Sequence, residues 1–177
     1  MNSVHMNNRK AEMPLLPDIR NTVRAVILQG DHILLLKKVY EDGSTCFALP
    51  GGGQIVGETL DAALLRECLE ELGAQVQIGE LLKVVDFFKV KSQEPPIQRH
   101  LVDFLFLCQI DKSYEPQNGP APDKHQVAVQ WVALDAIREL TFTPGYLSDY
   151  LGNFKLKTNG ARLGACYDVS PAKNYSG

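Results

Sequence analysis

Cysteine is scarce in this chain and poorly placed for its usual structural uses. Cys46, Cys68, Cys108 and Cys166 are scattered and make no C-x-x-C pair, so neither a zinc site nor a disulfide framework is expected. Long apolar runs are also missing. None approaches the roughly 18 residues that cross a bilayer, and the N-terminus lacks the charged-then-apolar order of a secretion signal. A membrane partner is therefore not expected, and the default compartment is the cytoplasm. A basic excess is absent as well: 18 Lys and Arg stand against 21 Asp and Glu, for a net charge of −3. With no positive stripe to follow a phosphate backbone, nucleic acid is not an expected partner. No repeat of solenoid period is present.

What remains is an ordinary globular composition of 177 residues, 45% apolar and 22% charged, enough for one domain with a real core. Residues 1–19 carry Asn, Lys, Pro and three methionines without periodicity and read as a flexible leader. Thr22 to Gln29 and His32 to Lys38 are apolar and β-branched around a Gly30-Asp31 turn, a hairpin pattern. A short strand, Cys46 to Leu49, follows. Further strands are expected within 75–91, 101–110 and 127–132, with short helices over 134–140 and from Thr143-Pro144-Gly145 to Leu151. Residues 92–98 and 111–126 read as loops, the second long enough to suggest function. The domain proper is expected over 20–152, with 153–177 a loosely ordered tail.

One segment carries chemistry. Gly52 to Ala74 reads GGQIVGETLDAALLRECLEELGA and sets Gly52, Glu58, Arg66, Glu67, Glu70, Glu71 and Gly73 in the spacing G-x5-E-x7-R-E-U-x-E-E-x-G-U, where U is apolar. At about 100° per residue, Glu67, Glu70 and Glu71 share one arc of a helix. Leu64, Leu65, Cys68, Leu69 and Leu72 read as the flank for the core. Thr59 is a natural N-cap and Gly73 a natural left-handed terminator. Brought into a cleft, carboxylates about 6 Å apart repel by roughly 3 kcal/mol at an effective dielectric near 20. Arg66 can offset one charge, and a hard divalent cation offsets the rest. Ahead of the helix, Leu49-Pro50-Gly51-Gly52-Gly53 is a turn whose main chain can come close to a ligand.

This spacing resembles the Nudix box, with Cys68 and Ala74 small where Ile, Leu or Val is usual. The resemblance implies an α/β (α+β) Nudix fold, a mixed β-sheet sandwiched between helices, and hydrolysis of a pyrophosphate bond in a nucleoside diphosphate linked to another group. It implies Mg²⁺, with Mn²⁺ as a substitute, held by Glu67, Glu70, Glu71 and the Gly51 carbonyl. Gly51 and Gly52 form the binding turn, Glu58 orients the others, and Arg66 is the counter-charge. Many relatives add a carboxylate from the loop before the last strand, where this chain reads Asp123-Lys124-His125-Gln126, with Gln126 in place of the expected Glu. Glu67 is then the expected base and His125 its auxiliary, while Asp123 or Glu115 could reach in if the loop closes. The Pro found about fifteen residues after the box in ADP-ribose hydrolases is absent, so the substrate stays a small nucleotide of unstated kind. A non-catalytic nucleotide-binding module is the alternative reading, and a homodimer paired through the hairpin or C-terminal helix is left open.

Overall fold

The computed structural model describes residues 15–91, 95–153 and 162–167. In chain order these are strands β1 (Leu15–Gln29), β2 (His32–Val39) and β3 (Thr45–Ala48), helix α1 (Leu60–Leu72), strands β4 (Val76–Lys91), β5 (Ile97–Ile110) and β6 (Gln126–Ala133), a 3-10 turn (Leu134–Glu139), helix α2 (Tyr146–Gly152) and strand β7 (Arg162–Tyr167). The seven strands form one sheet in the order β3-β2-β1-β5-β4-β7, with β6 also on β2. β1 runs parallel to β5 and β4 parallel to β7, while the other pairs are antiparallel. The sheet is mixed, as expected. No described helix is long and apolar enough to cross a membrane.

Strand alternation assigns the two faces. Val23, Ala25 and Ile27 of β1 with Leu34 and Leu36 of β2 pack toward α1, against Ala63, Leu64, Cys68 and Leu72. Their neighbours Val26, Ile33 and Leu35 turn the other way, onto Ile137, Leu147 and Leu151. Because both faces are covered, these strands read as continuous apolar runs rather than alternating ones. The box helix therefore has one face of the sheet to itself. Among the described residues no disulfide is formed, and Cys46, Cys68 and Cys108 are buried. Burial pushes the Cys108 thiol up to about 12.

Three expectations need amending. β1 begins at Leu15, inside the segment read as a leader, and pairs with β5 from that residue, where Leu15 stands opposite Gln98. Residues 1–14 lie outside the described part. The tail contributes β7, on the free edge of β4; a Gly-rich composition hid a strand whose pairing is entirely non-local. Finally, Leu65 and Leu69 do not join the core and are 42% and 48% exposed. The buried stripe of α1 is instead Ala63, Leu64, Cys68, Leu72 and Glu71. At 100° per residue Glu71 lies only about 20° from Leu64, whereas Leu65 and Leu69 lie about 100° and 140° away.

Candidate functional site

Helix α1 is fixed at both ends. The Thr59 hydroxyl accepts from the Ala62 N–H at 3.1 Å, and Gly73 closes the helix in the left-handed region at φ 64°, as its residue types predict. Beyond Gly73 the long loop takes over. The Gly119 N–H donates to the Glu71 carbonyl and the Ala121 N–H to the Glu70 carbonyl, both at 2.9 Å. The Tyr114 hydroxyl donates to the Leu72 carbonyl at 3.0 Å. Carbonyls that a helix end leaves without partners are thus satisfied by 111–126. Gln126 completes the set: its Nε2 donates to the Glu71 carbonyl at 2.8 Å and to Asn118 at 3.1 Å.

The glycine turn is stitched to β1, where the Val23 N–H donates to the Gly52 carbonyl at 2.9 Å and the Ala25 N–H to the Pro50 carbonyl at 2.8 Å. Gly51 has φ 133°, and a Cβ there would overlap the Val23 carbonyl, so only glycine fits. Its N–H donates to Glu71 Oε2 at 2.8 Å. A Cβ on Gly52 would lie 2.5 Å from the Glu67 carboxylate. The missing side chain at Gly51 thus lets the turn lie against β1, while that at Gly52 leaves room for the Glu67 carboxylate.

Arg66 organises the remaining charge. Its Nε and Nη2 donate to the two Glu58 oxygens at 2.7 and 3.1 Å, and Nη1 donates to Glu67 at 2.8 Å and Glu70 at 3.2 Å. Nη2 also reaches the Gly53 carbonyl at 3.0 Å. Glu58 is fixed further by the Ile55 N–H at 2.9 Å, and its main-chain carbonyl accepts from Gln54, which in turn accepts from Asn21. The hydrogen bond from Arg66, then that from Ile55, holds Glu58 below the usual carboxylate range.

Deeper in the cleft the balance reverses. Burial raises Glu67 despite its bond to Arg66. Glu71, 4% exposed, is pushed up to about 8, mainly by burial and further by Glu67 and Asp123, against the opposing pull of the Gly51 N–H and Lys38. Asp123 is exposed, and although desolvation raises it, its ion pair with Lys38 outweighs that and keeps it below the usual range. His125 packs on Tyr40, with ring centroids 4.5 Å apart.

The predicted residues thus fall into two groups. Gly51, Gly52, Glu58, Arg66, Glu67, Glu70 and Glu71 form one connected cluster. His125 stands beside it, and its neighbour Asp123 is the loop residue whose charge bears on Glu67 and Glu71. Lys38, Asn21, Gln54, Tyr114 and Gly119 were not visible as site residues, because their partners lie far away in sequence; only the length of the loop hinted at the last two. Among the described residues, no three His, Cys, Asp or Glu side chains converge as a ready coordination shell. Glu58, Glu67 and Glu70 are instead each bonded to Arg66. The donor set fits a hard divalent cation all the same: carboxylate oxygens, two of them on groups that burial leaves short of positive charge, beside a turn with no side chains in the way.

A helix-flanked mixed sheet that presents one carboxylate-bearing helix to a glycine turn defines a class of α+β proteins. The chain matches the family model of the NUDIX domain over residues 18–150, and it belongs to the Nudix hydrolase family. It is 32% identical over 88 residues to an ADP-ribose pyrophosphatase of Methanocaldococcus jannaschii; the match takes in 50% of this chain and 49% of that protein. The chain thus spans about half the length of that curated relative. Among solved structures it is similar to a MutT NUDIX hydrolase from Burkholderia pseudomallei, at 25% identity and TM-score 0.58, over 78% of this chain and 99% of that one. A NUDIX hydrolase from Nitrosomonas europaea has the same fold at 21% identity, with a TM-score of 0.61 over 84% and 79% of the two chains.

Proposed function

We propose that this chain hydrolyses a pyrophosphate bond in a nucleoside diphosphate linked to another group. The observation that carries this reading is the placement of Glu67 and Glu71, both raised by burial, against the bare main chain of the Gly51-Gly52 turn. Glu67, Glu70 and Glu71, with the Gly51 carbonyl, would hold Mg²⁺ or Mn²⁺, which when bound offsets phosphate charge and makes a water molecule more acidic. Glu67 takes the proton from the attacking water, its carboxylate oriented by Arg66. Arg66 itself touches no reacting atom; it shares its guanidinium among Glu58, Glu67 and Glu70 and fixes their directions. Asp123 supplies a further negative charge from the loop, and His125 next to it favours the ionised form of Asp123.

The match to an ADP-ribose pyrophosphatase supports ADP-ribose as the first compound to try. The test is incubation with Mg²⁺ and a panel of ADP-ribose, dNTPs, sugar nucleotides and dinucleoside polyphosphates in ¹⁸O-labelled water. Mass analysis then identifies the products and the phosphorus attacked. Turnover of one compound that requires the divalent cation and is lost in Glu67→Gln supports the reading. Absence of turnover on the whole panel, with tight binding of one nucleotide, would favour a non-catalytic binding module.

A further inference from the structure

We propose that Arg20 is a substrate-contacting residue that engages the part of the diphosphate lying beyond the carboxylate cluster; this rests on the hydrolase reading above. Gly53 has no need of left-handed freedom, since it is not among the glycines with positive φ. What the position shows is a neighbour. Gly53 bridges to Thr22 of β1, and a Cβ on it would point into the Arg20 guanidinium, 2.6 Å from Nε and 2.7 Å from Cζ. The Arg20 guanidinium thus lies over the third glycine of the turn, whose carbonyl is held by Arg66 at 3.0 Å.

Charge makes this placement informative. Around the turn, Arg66 is shared by three glutamates and Lys38 is paired with Asp123, so neither cation is left for substrate. Arg20 is exposed and has no ion-pair partner among the described residues. Successive residues of the turn face opposite ways: Gly52 toward the Glu67 carboxylate, Gly53 toward the Arg20 guanidinium. A diphosphate bound at the carboxylate side and extending along this main chain would meet, next to Gly53, a planar guanidinium with no ion-pair partner among the described residues. A guanidinium fork matches phosphate oxygens and forms charge-assisted hydrogen bonds with them.

The experiment compares Arg20→Ala, Arg20→Lys and Gly53→Ala with the unaltered full chain. It reads KM and kcat on the best compound of the panel and, separately, binding of ADP with Mg²⁺ by calorimetry. Arg20→Ala is expected to raise KM and weaken ADP binding about tenfold, with kcat within about twofold, because one charge-assisted bond is lost from binding. Arg20→Lys restores part of the loss. Gly53→Ala pushes the guanidinium aside and reproduces the effect with the charge still present. The double variant is no worse than either single one, since both remove the same contact. Unchanged KM and ADP affinity in Arg20→Ala, with unchanged thermal melting, overturns the proposal. So do additive losses in the double variant. If the unaltered chain turns over nothing but binds ADP in an Arg20-dependent way, the hydrolase reading fails and the Arg20 contact stands. If it binds no ADP, both fall.

Discussion

The side-chain amide of Gln126 donates to the main-chain carbonyl of Glu71 at 2.8 Å. The first residue of β6 thereby clamps the helix that carries the carboxylates. Glutamate was expected at 126, and its absence has a structural reason: a carboxylate there would face a carbonyl oxygen and lie near Glu71 in a site that is 8% exposed at Gln126.

Gln126→Glu is therefore expected to lower stability by about 1–3 kcal/mol, as for a buried polar group left without its partner, without raising activity. Gln126→Ala should cost less, because the Gly119 N–H still serves the same carbonyl. Thermal melting with and without Mg²⁺ checks the order of the two variants.

Glu71 makes stability depend on pH in a stated direction. Its pKa rises from 4.5 to about 8 on folding, so between these values the folded chain holds a proton that the unfolded chain has released. Stability of the cation-free protein should then fall as pH rises from about 5 to 8, by an amount on the order of a few kcal/mol. Glu71→Gln flattens the slope. Added Mg²⁺ should raise the melting temperature more at pH 8 than at pH 6, since a ligating carboxylate must be ionised. Melting curves in EDTA and in Mg²⁺ across this range provide the measurement.

Replacing the base should separate Glu67 from its neighbours. Glu67→Gln is expected to cut kcat by roughly 10²–10⁴ with the fold intact, whereas His125→Ala, which removes a ring packed on Tyr40, should stay within about tenfold. Near-normal turnover in Glu67→Gln together with loss in His125→Ala would reverse the two roles.

Arg66→Met strands three glutamates at once. In the cation-free protein we expect a loss of about 1–2 kcal/mol, held down by the partial exposure of these groups. Mg²⁺ should recover part of it, because a bound cation replaces the missing charge. Chemical unfolding in EDTA and in Mg²⁺ tests both statements.

Local signals explain what could be read from the sequence. The apolar runs at 22–29 and 33–36, the Gly30-Asp31 turn, the Thr59 cap and the Gly73 stop act over a few residues, and each appears where the residue types place it. The spacing of Arg66, Glu67, Glu70 and Glu71 likewise encodes one rigid helix, so their shared arc is legible in the sequence, whereas Arg66, read as offsetting one charge, bonds three glutamates. What escaped depends on distant partners. Leu15 becomes strand because Gln98 lies beside it, and β7 because β4 offers an edge. Leu65 and Leu69 looked like core from hydropathy, but the sheet meets the helix along the line through Leu64 and Glu71. Lys38 was an unremarkable strand residue until the loop brought Asp123 to it.

The attachment of 111–126 to the helix end also bears on how a substrate arrives. Tyr114, Gly119, Ala121 and Gln126 each hold a carbonyl of the final turn, so swinging this loop outward would break four hydrogen bonds at the end of the helix that carries Glu70 and Glu71. Any outward movement of Asp123 with this loop therefore carries the cost of those bonds. The positions of 111–126 that make none of these bonds are the ones where a substitution can alter the loop without loosening the helix end.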